Sequence, residues 1–325
     1  MSVCDQCAAR GALIADHAGA IESLSLDRWE LVGLLSLPDE RLTATVRRST
    51  RRLQHARVRA VDHRAETGHR TEHARARTPR INALPAQAGE GTRGACSSNS
   101  TGLCRHDPRY PERLAHLDGP PAALHIASDR PGRLLDLLAR PVVAIVGSRE
   151  STYYARDTAT ALARDLAHAG VTVLGGLAEG IESAAQQGAL GAGGGTIAVM
   201  AGGADVAYPV QSDRVHMRVR EKGAAVSELP FGSRPAGRWC FLARNRMIAA
   251  LADAVIVVEA GESAGTLFTA ELACRLGREV GVVPGRTSDP CARGSNALLR
   301  DGAQPILNAI DALALIETRQ AARSH

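Results

Sequence analysis

The sequence predicts an α/β protein built on a doubly wound, mostly parallel Rossmann-like sheet, preceded by a small helical N-terminal domain. Three observations carry this expectation. Between Pro141 and Pro284, six short apolar runs recur, rich in β-branched residues and bounded by glycine or proline: 142–146, 171–174, 196–201, 224–227, 254–259 and 280–283. Runs that stay apolar instead of alternating belong to parallel strands buried on both faces. Amphipathic stretches separate them. Ala159, Leu162, Ala163, Leu166 and Ala167 fall on one helical face, and similar spacing surrounds Met247, Ile248 and Leu251. Finally, glycine-rich loops follow the strands' carboxyl ends, the edge at which such sheets bind ligands.

The flanking segments follow in order. Residues 1–40 place Leu13, Ile14, Ile21, Leu24, Trp29, Leu31 and Leu34 at spacings suited to two or three short helices. Residues 41–100 lose that pattern to Arg, His, Thr and Gly, with too few large apolar groups to offset chain entropy. They read as an Arg-rich linker or disordered arm, partly helical over 41–59. A lead-in (101–140), the fold domain (141–310) and a C-terminal tail (311–325) complete the chain.

Charge discriminates poorly. The formal net charge is +5, yet residues 41–80 hold twelve arginines against Asp62, Glu66 and Glu72, so the remainder is net negative. No apolar run reaches the roughly 18 residues of a membrane-spanning helix, and no secretory leader is evident. A cytoplasmic protein with reduced thiols is expected, because seven scattered cysteines do not form a paired framework. Cys4 and Cys7 have the spacing of half a zinc site, which Cys104 and His106 could complete in space. Unligated cysteines are the expectation, with no metal and no cofactor.

The loops at the strand ends carry the functional signal. Gly147, Ser148 and Arg149 follow the first run, where a glycine admits backbone amides close to an anion and arginine offers a planar fork for phosphate; a plain tight turn is the alternative. This loop lacks the second and third glycines of GxGxxG, and the second run ends in glycine where a ribose-binding acid belongs, so NAD is rejected. Gly175, Gly176 and Gly180 offer amides at a helix start, Gly202 and Gly203 open the third loop, and Ser263, Gly265 and Thr266 form another glycine-and-hydroxyl entry to a helix. Arg244, Asn245 and Arg246 lie in the helix before the fifth run. The two arginines cannot share a face, so one is expected to reach ligand and the other to close an internal ion pair. Phe241 or Trp239 could stack on a base or belong to the core.

These loops together resemble the DprA/Smf family, bacterial proteins that bind incoming single-stranded DNA and help load the RecA recombinase. The resemblance runs in order through 147–149, 175–182, 194–209, 223–230, 241–248, 257–265, 269–273, 283–285 and 294–303, about half the chain. The stretch 104–124 and the helical N-terminus are also similar. The resemblance implies a DNA backbone crossing the sheet's carboxyl edge beside Arg149, Arg244, Asn245 and the loops at 175–180 and 263–266, with Lys222 a weaker candidate. It also implies a homodimer and action by binding, with no catalytic residue assigned. Gly175, Glu182, Gln186, Ala155 and Leu242 depart from the family's serine, aspartate, histidine, glycine and proline.

A nucleotide-binding or nucleotide-hydrolysing reading is the alternative, because the same superfamily includes phosphoribohydrolases (lysine decarboxylase-like). Those enzymes use a PGGxGTxxE loop, and here the stretch 262–269 ends on Thr269 where the catalytic glutamate would stand.

Overall fold

The computed structural model describes residues 3–24, 26–48 and 100–323. The N-terminal unit contains α1 (Asp5–Asp16), α2 (Ala18–Ser23), α3 (Arg28–Ser36) and α4 (residues 39–48). Helix α3 starts at a capping box in which Asp27 accepts from the Trp29 and Glu30 amides while Glu30 accepts from the Asp27 amide. Ile21, Leu31, Leu34, Leu42 and Val46 form its core. The helical pattern thus runs past Arg41, because Leu42 and Val46 add one more buried i, i+4 pair. The rest of the expected arginine-rich arm lies outside the described residues.

The lead-in is more ordered than the sequence suggests. It supplies β1 (Ser100–Cys104), α5 (Glu112–Ala115), β2 (Ala123–Ala127) and α6 (Arg133–Leu138). The six predicted strands follow as β3 (Val142–Val146), β4 (Thr172–Gly175), β5 (Thr196–Val199), β6 (Ala224–Ser227), β7 (Ala254–Val257) and β8 (Glu279–Val282). With β9 (Gln304–Pro305) they make one nine-stranded sheet ordered β1-β2-β6-β5-β4-β3-β7-β8-β9. The pairings β1–β2 and β2–β6 are antiparallel, and all the others are parallel.

Alternate residues of each strand enter opposite layers. Val142, Ala144 and Val146 face the layer that includes α10 (Arg238–Leu251) and α11 (Gly265–Arg275), whereas Val143 and Ile145 face the layer of α7 (Tyr153–His168) and α8 (Ile181–Gly191). Two further helices are α9 (Asp213–Lys222) and α12 (Arg293–Arg300). The tail forms α13 (Ala309–Arg323), which buries Ala312, Leu315 and Ile316 against the second layer. Among the described residues no helix is long and apolar enough to cross a membrane.

The topology fixes where a ligand can enter. From β3 the chain winds outward through β4, β5 and β6, then returns to place β7 on the other side of β3. The loops leaving β3 and β7 therefore diverge and open a crevice at the switch point.

Candidate functional site

A cleft of about 450 Å³ occupies that crevice. Its floor and walls bring together Gly147, Ser148, Arg149, Phe241, Arg244 and Asn245, with Ser263, Gly265 and Thr266 opposite. Thr266 Oγ1 donates to the Gly147 carbonyl at 3.0 Å, and Asn245 Nδ2 donates to the Gly265 carbonyl at 3.4 Å. The two diverging loops and α10 are thereby locked to one another. Gly147 is a packing requirement, since a Cβ there would lie 2.5 Å from Cγ1 of Ile181.

Two anion-compatible devices face the cleft. One is the start of α11, where no side chain caps the helix and a Cβ on Gly265 would meet nothing within 4 Å. The amides of a helix's first turn have no intrahelical partner and carry partial positive charge. The other is arginine. Exposed Arg149 lies with its guanidinium 4.8 Å from the ring centre of Phe241, whose ring centre is also 5.7 Å from that of Tyr208. Arg244 forms part of the floor.

Sequence reasoning missed two more arginines of this cleft, Arg28 and Arg238. Arg28 arrives because α3 docks on the fold domain, with Trp29 edge-on to Phe268 at 5.2 Å and the Arg28 guanidinium 5.6 Å from the same ring. Arg238 is the first residue of α10. Neither belongs to a local motif, so only the tertiary arrangement reveals them. The cleft also continues. Arg28 and Arg238 line an adjoining depression of about 490 Å³ under α3, and Arg149 and Glu150 line another of about 600 Å³ that also holds Arg156.

The remaining candidates lie elsewhere. Gly176 and Ala178 do present amides at a concave turn, held by Leu177 at φ 59°, but the chain's own Glu182 fills it. Its Oε2 accepts from the two amides at 2.9 and 3.2 Å and from Arg244 Nη1 at 3.2 Å. Gly175 and Gly176 are buried under this pair, and Gly180 packs against the carbonyls of Ser148 and Arg149. Gly202 and Gly203 pack against the 230–235 turn, with the Gly203 amide bonded to the Ser233 carbonyl at 2.7 Å.

Arg246 is 2% exposed and spans Glu228 and the Gly119 carbonyl, so both arginines of the motif close internal ion pairs while Arg244 alone also lines the cleft. Trp239 is core, packed with the N-terminal helices. Lys222 ends α9 immediately before β6, which puts it at the amino edge of the sheet, where its carbonyl accepts from Arg133. At the third of the departing positions, Gln186 is fully buried and donates to the Ile197 carbonyl at 3.1 Å.

Thr269, at the position of the hydrolase glutamate, is buried in the cleft wall, and the carboxylates lining the cleft are Glu150 and Glu182. Glu259 is likewise occupied, accepting from the Thr152 amide and hydroxyl at 2.9 and 2.6 Å. Away from the cleft, the structure gathers Cys4, Cys7, Cys104 and His106, whose ligand atoms all lie within 4.8 Å of one another.

Fold and cleft together define a doubly wound α/β protein with an arginine-lined groove at its switch point. A family model described as DNA recombination-mediator protein A matches residues 101–317, and the chain belongs to that family. DNA processing protein DprA of Streptococcus pneumoniae is 36% identical over 211 residues, covering 65% of this chain and 72% of that protein. A Mycobacterium tuberculosis protein named for DprA is 43% identical over 177 residues, or 54% of this chain and 45% of that one. The chain thus spans about half the length of some curated relatives. Among solved structures, DprA of S. pneumoniae superimposes with a TM-score of 0.62 at 34% identity, covering 67% of this chain and 74% of that one. DprA of Helicobacter pylori, whose structure concerns its single-stranded DNA binding mode, does so with a TM-score of 0.59 at 31% identity, over 67% and 96%.

Proposed function

We propose that this protein binds single-stranded DNA along the switch-point groove, holding the phosphate backbone and leaving the DNA chemically unchanged. The carrying observation is the convergence of Arg28, Arg149, Arg238 and Arg244 with the uncapped start of α11 along three adjoining depressions. A site for one nucleotide needs only one such depression, whereas a run of them suits a polymer of phosphates. Arginine forks and helix-start amides recognise phosphate without reading bases, and Phe241 with Tyr208 offers an aromatic surface that every base can share. The similarity to the H. pylori DprA structure supports the same ligand.

The engagement of Glu182 and Glu259 in internal bonds, with threonine at 269, supports binding over glycosidic hydrolysis. Protection of incoming DNA, loading of a RecA-type recombinase during transformation, homodimerisation and a cytoplasmic location complete the reading on the strength of family membership.

Anisotropy titrations with labelled oligo-dT of increasing length, competed by dTMP, test this. Affinity is expected to rise with length, dTMP to compete weakly, and Arg149→Ala and Arg238→Ala each to weaken binding. Tight dTMP binding that oligonucleotides fail to displace, or release of ribose 5-phosphate from AMP, would favour the nucleotide reading instead.

A further inference from the structure

The cysteine and histidine cluster lies far from the groove, and its geometry is that of a metal site. Cys4 is the N-cap of α1 and Cys7 lies one turn on, so both sulfurs sit at the start of the same helix. Cys104 ends edge strand β1, and His106 follows in a turn closed by the Asp107 amide on the Cys104 carbonyl at 2.8 Å. Folding brings these pairs together across 102 positions of chain.

The Cys4 and Cys7 sulfurs lie 3.5 and 3.6 Å from His106 Nδ1. A tetrahedral zinc ion with its usual bond lengths sets sulfur and nitrogen ligands about 3.6 Å apart, and sulfurs about 3.8 Å apart. Three thiolates and one imidazole are also the donor set that selects zinc over hard cations. Four protein ligands leave no open position, which is the arrangement of structural sites. Cys7 and Cys104 are buried, and among the described residues they cluster with Val3, Ala122 and Ala123.

We propose that Cys4, Cys7, Cys104 and His106 bind one zinc ion, which clamps the N-terminal helical unit to the edge of the sheet. The clamp closes a loop of about a hundred residues and adds to the hydrophobic contacts that already seat the N-terminal helices on the fold domain. It stands whatever the groove binds, because its readouts are metal content and stability.

The test uses the full chain purified under reducing conditions. One zinc per chain is expected by mass spectrometry. Exchange for cobalt should give the visible bands of a tetrahedral thiolate site, and chelation should lower Tm by ~5 °C or more. His106→Ala, at an exposed side chain that need not disturb folding, and Cys4→Ser should each alter or abolish the cobalt bands. Cys274→Ser, at an exposed thiol outside the cluster, should leave them intact. Metal-free protein that gives no cobalt bands on reconstitution overturns the proposal, as does full zinc content in the Cys4→Ser, His106→Ala double variant.

Discussion

At the scale of single residues, the arginines of the groove divide by what else they hold. Arg244 pairs with Glu182 and Arg246 with Glu228, each pair almost fully buried. Removing one member of such a pair strands the other charge without water, at a cost of ~3–5 kcal/mol. Arg244→Ala and Arg246→Ala should therefore lower the denaturation midpoint substantially, in urea titrations that detect ~1 kcal/mol. Arg149→Ala loses only an exposed cation–π contact, worth roughly 1 kcal/mol or less. DNA affinity measured on Arg244→Ala thus mixes two losses, whereas Arg149→Ala and Arg238→Ala report on the groove.

Gly176 gives a second residue-scale expectation. A Cβ there would run into the Arg244 guanidinium, so Gly176→Ala should destabilise the fold and weaken oligonucleotide binding together, while Gly265→Ala, with open space around it, should leave stability within ~1 kcal/mol of the parent. The place of 147–149 at the cleft was legible in sequence because the motif follows directly on the carboxyl end of a parallel strand. The occupation of the 176–178 amides by Glu182 was not, because a carboxylate six positions away gives no sign of folding back until α8 is placed.

At the scale of elements, the start of α11 is the feature most open to an anion. Gly265→Asp would put a fixed negative charge at the helix's first position. Such a charge stabilises the helix by ~0.3–1 kcal/mol, yet it should repel a phosphate in the same place. A thermal melt no lower than the parent's, with oligo-dT affinity reduced at least ~10-fold, is the expected pair of results.

The parallel strands were legible because β3 to β8 are short, apolar and buried on both faces. The antiparallel strands β1 and β2 escaped notice because Ser100–Cys104 and Ala123–Ala127 have neither clear alternation nor a strong β-branched run. Lys222 was drawn toward the site by its charge alone. Its place before β6, not after a strand, puts it on the opposite edge of a parallel sheet, a topological signal already present in the order of elements.

At the scale of the whole molecule, burial holds the imidazoles of His125 and His216 below their usual range. The unfolded chain then takes up protons that the folded chain refuses once the pH falls below the ordinary histidine value near 6.5. Stability from these groups is complete above that value and is lost as pH falls toward their depressed folded values. Tm measured from pH 8 to 5 should decline below about 6.5, and His216→Gln should flatten the decline.

The central claim, that groove arginines hold a phosphate backbone, is tested most directly by the salt dependence of binding. For single strands, each neutralised phosphate contributes about −0.7 to the slope of log affinity against log salt. Titrating one oligo-dT at several salt concentrations, with the parent, Arg149→Ala and Arg238→Ala, should show each substitution making the slope shallower by roughly that amount. Unchanged slopes in both variants, at any affinity, would contradict a phosphate grip at this groove.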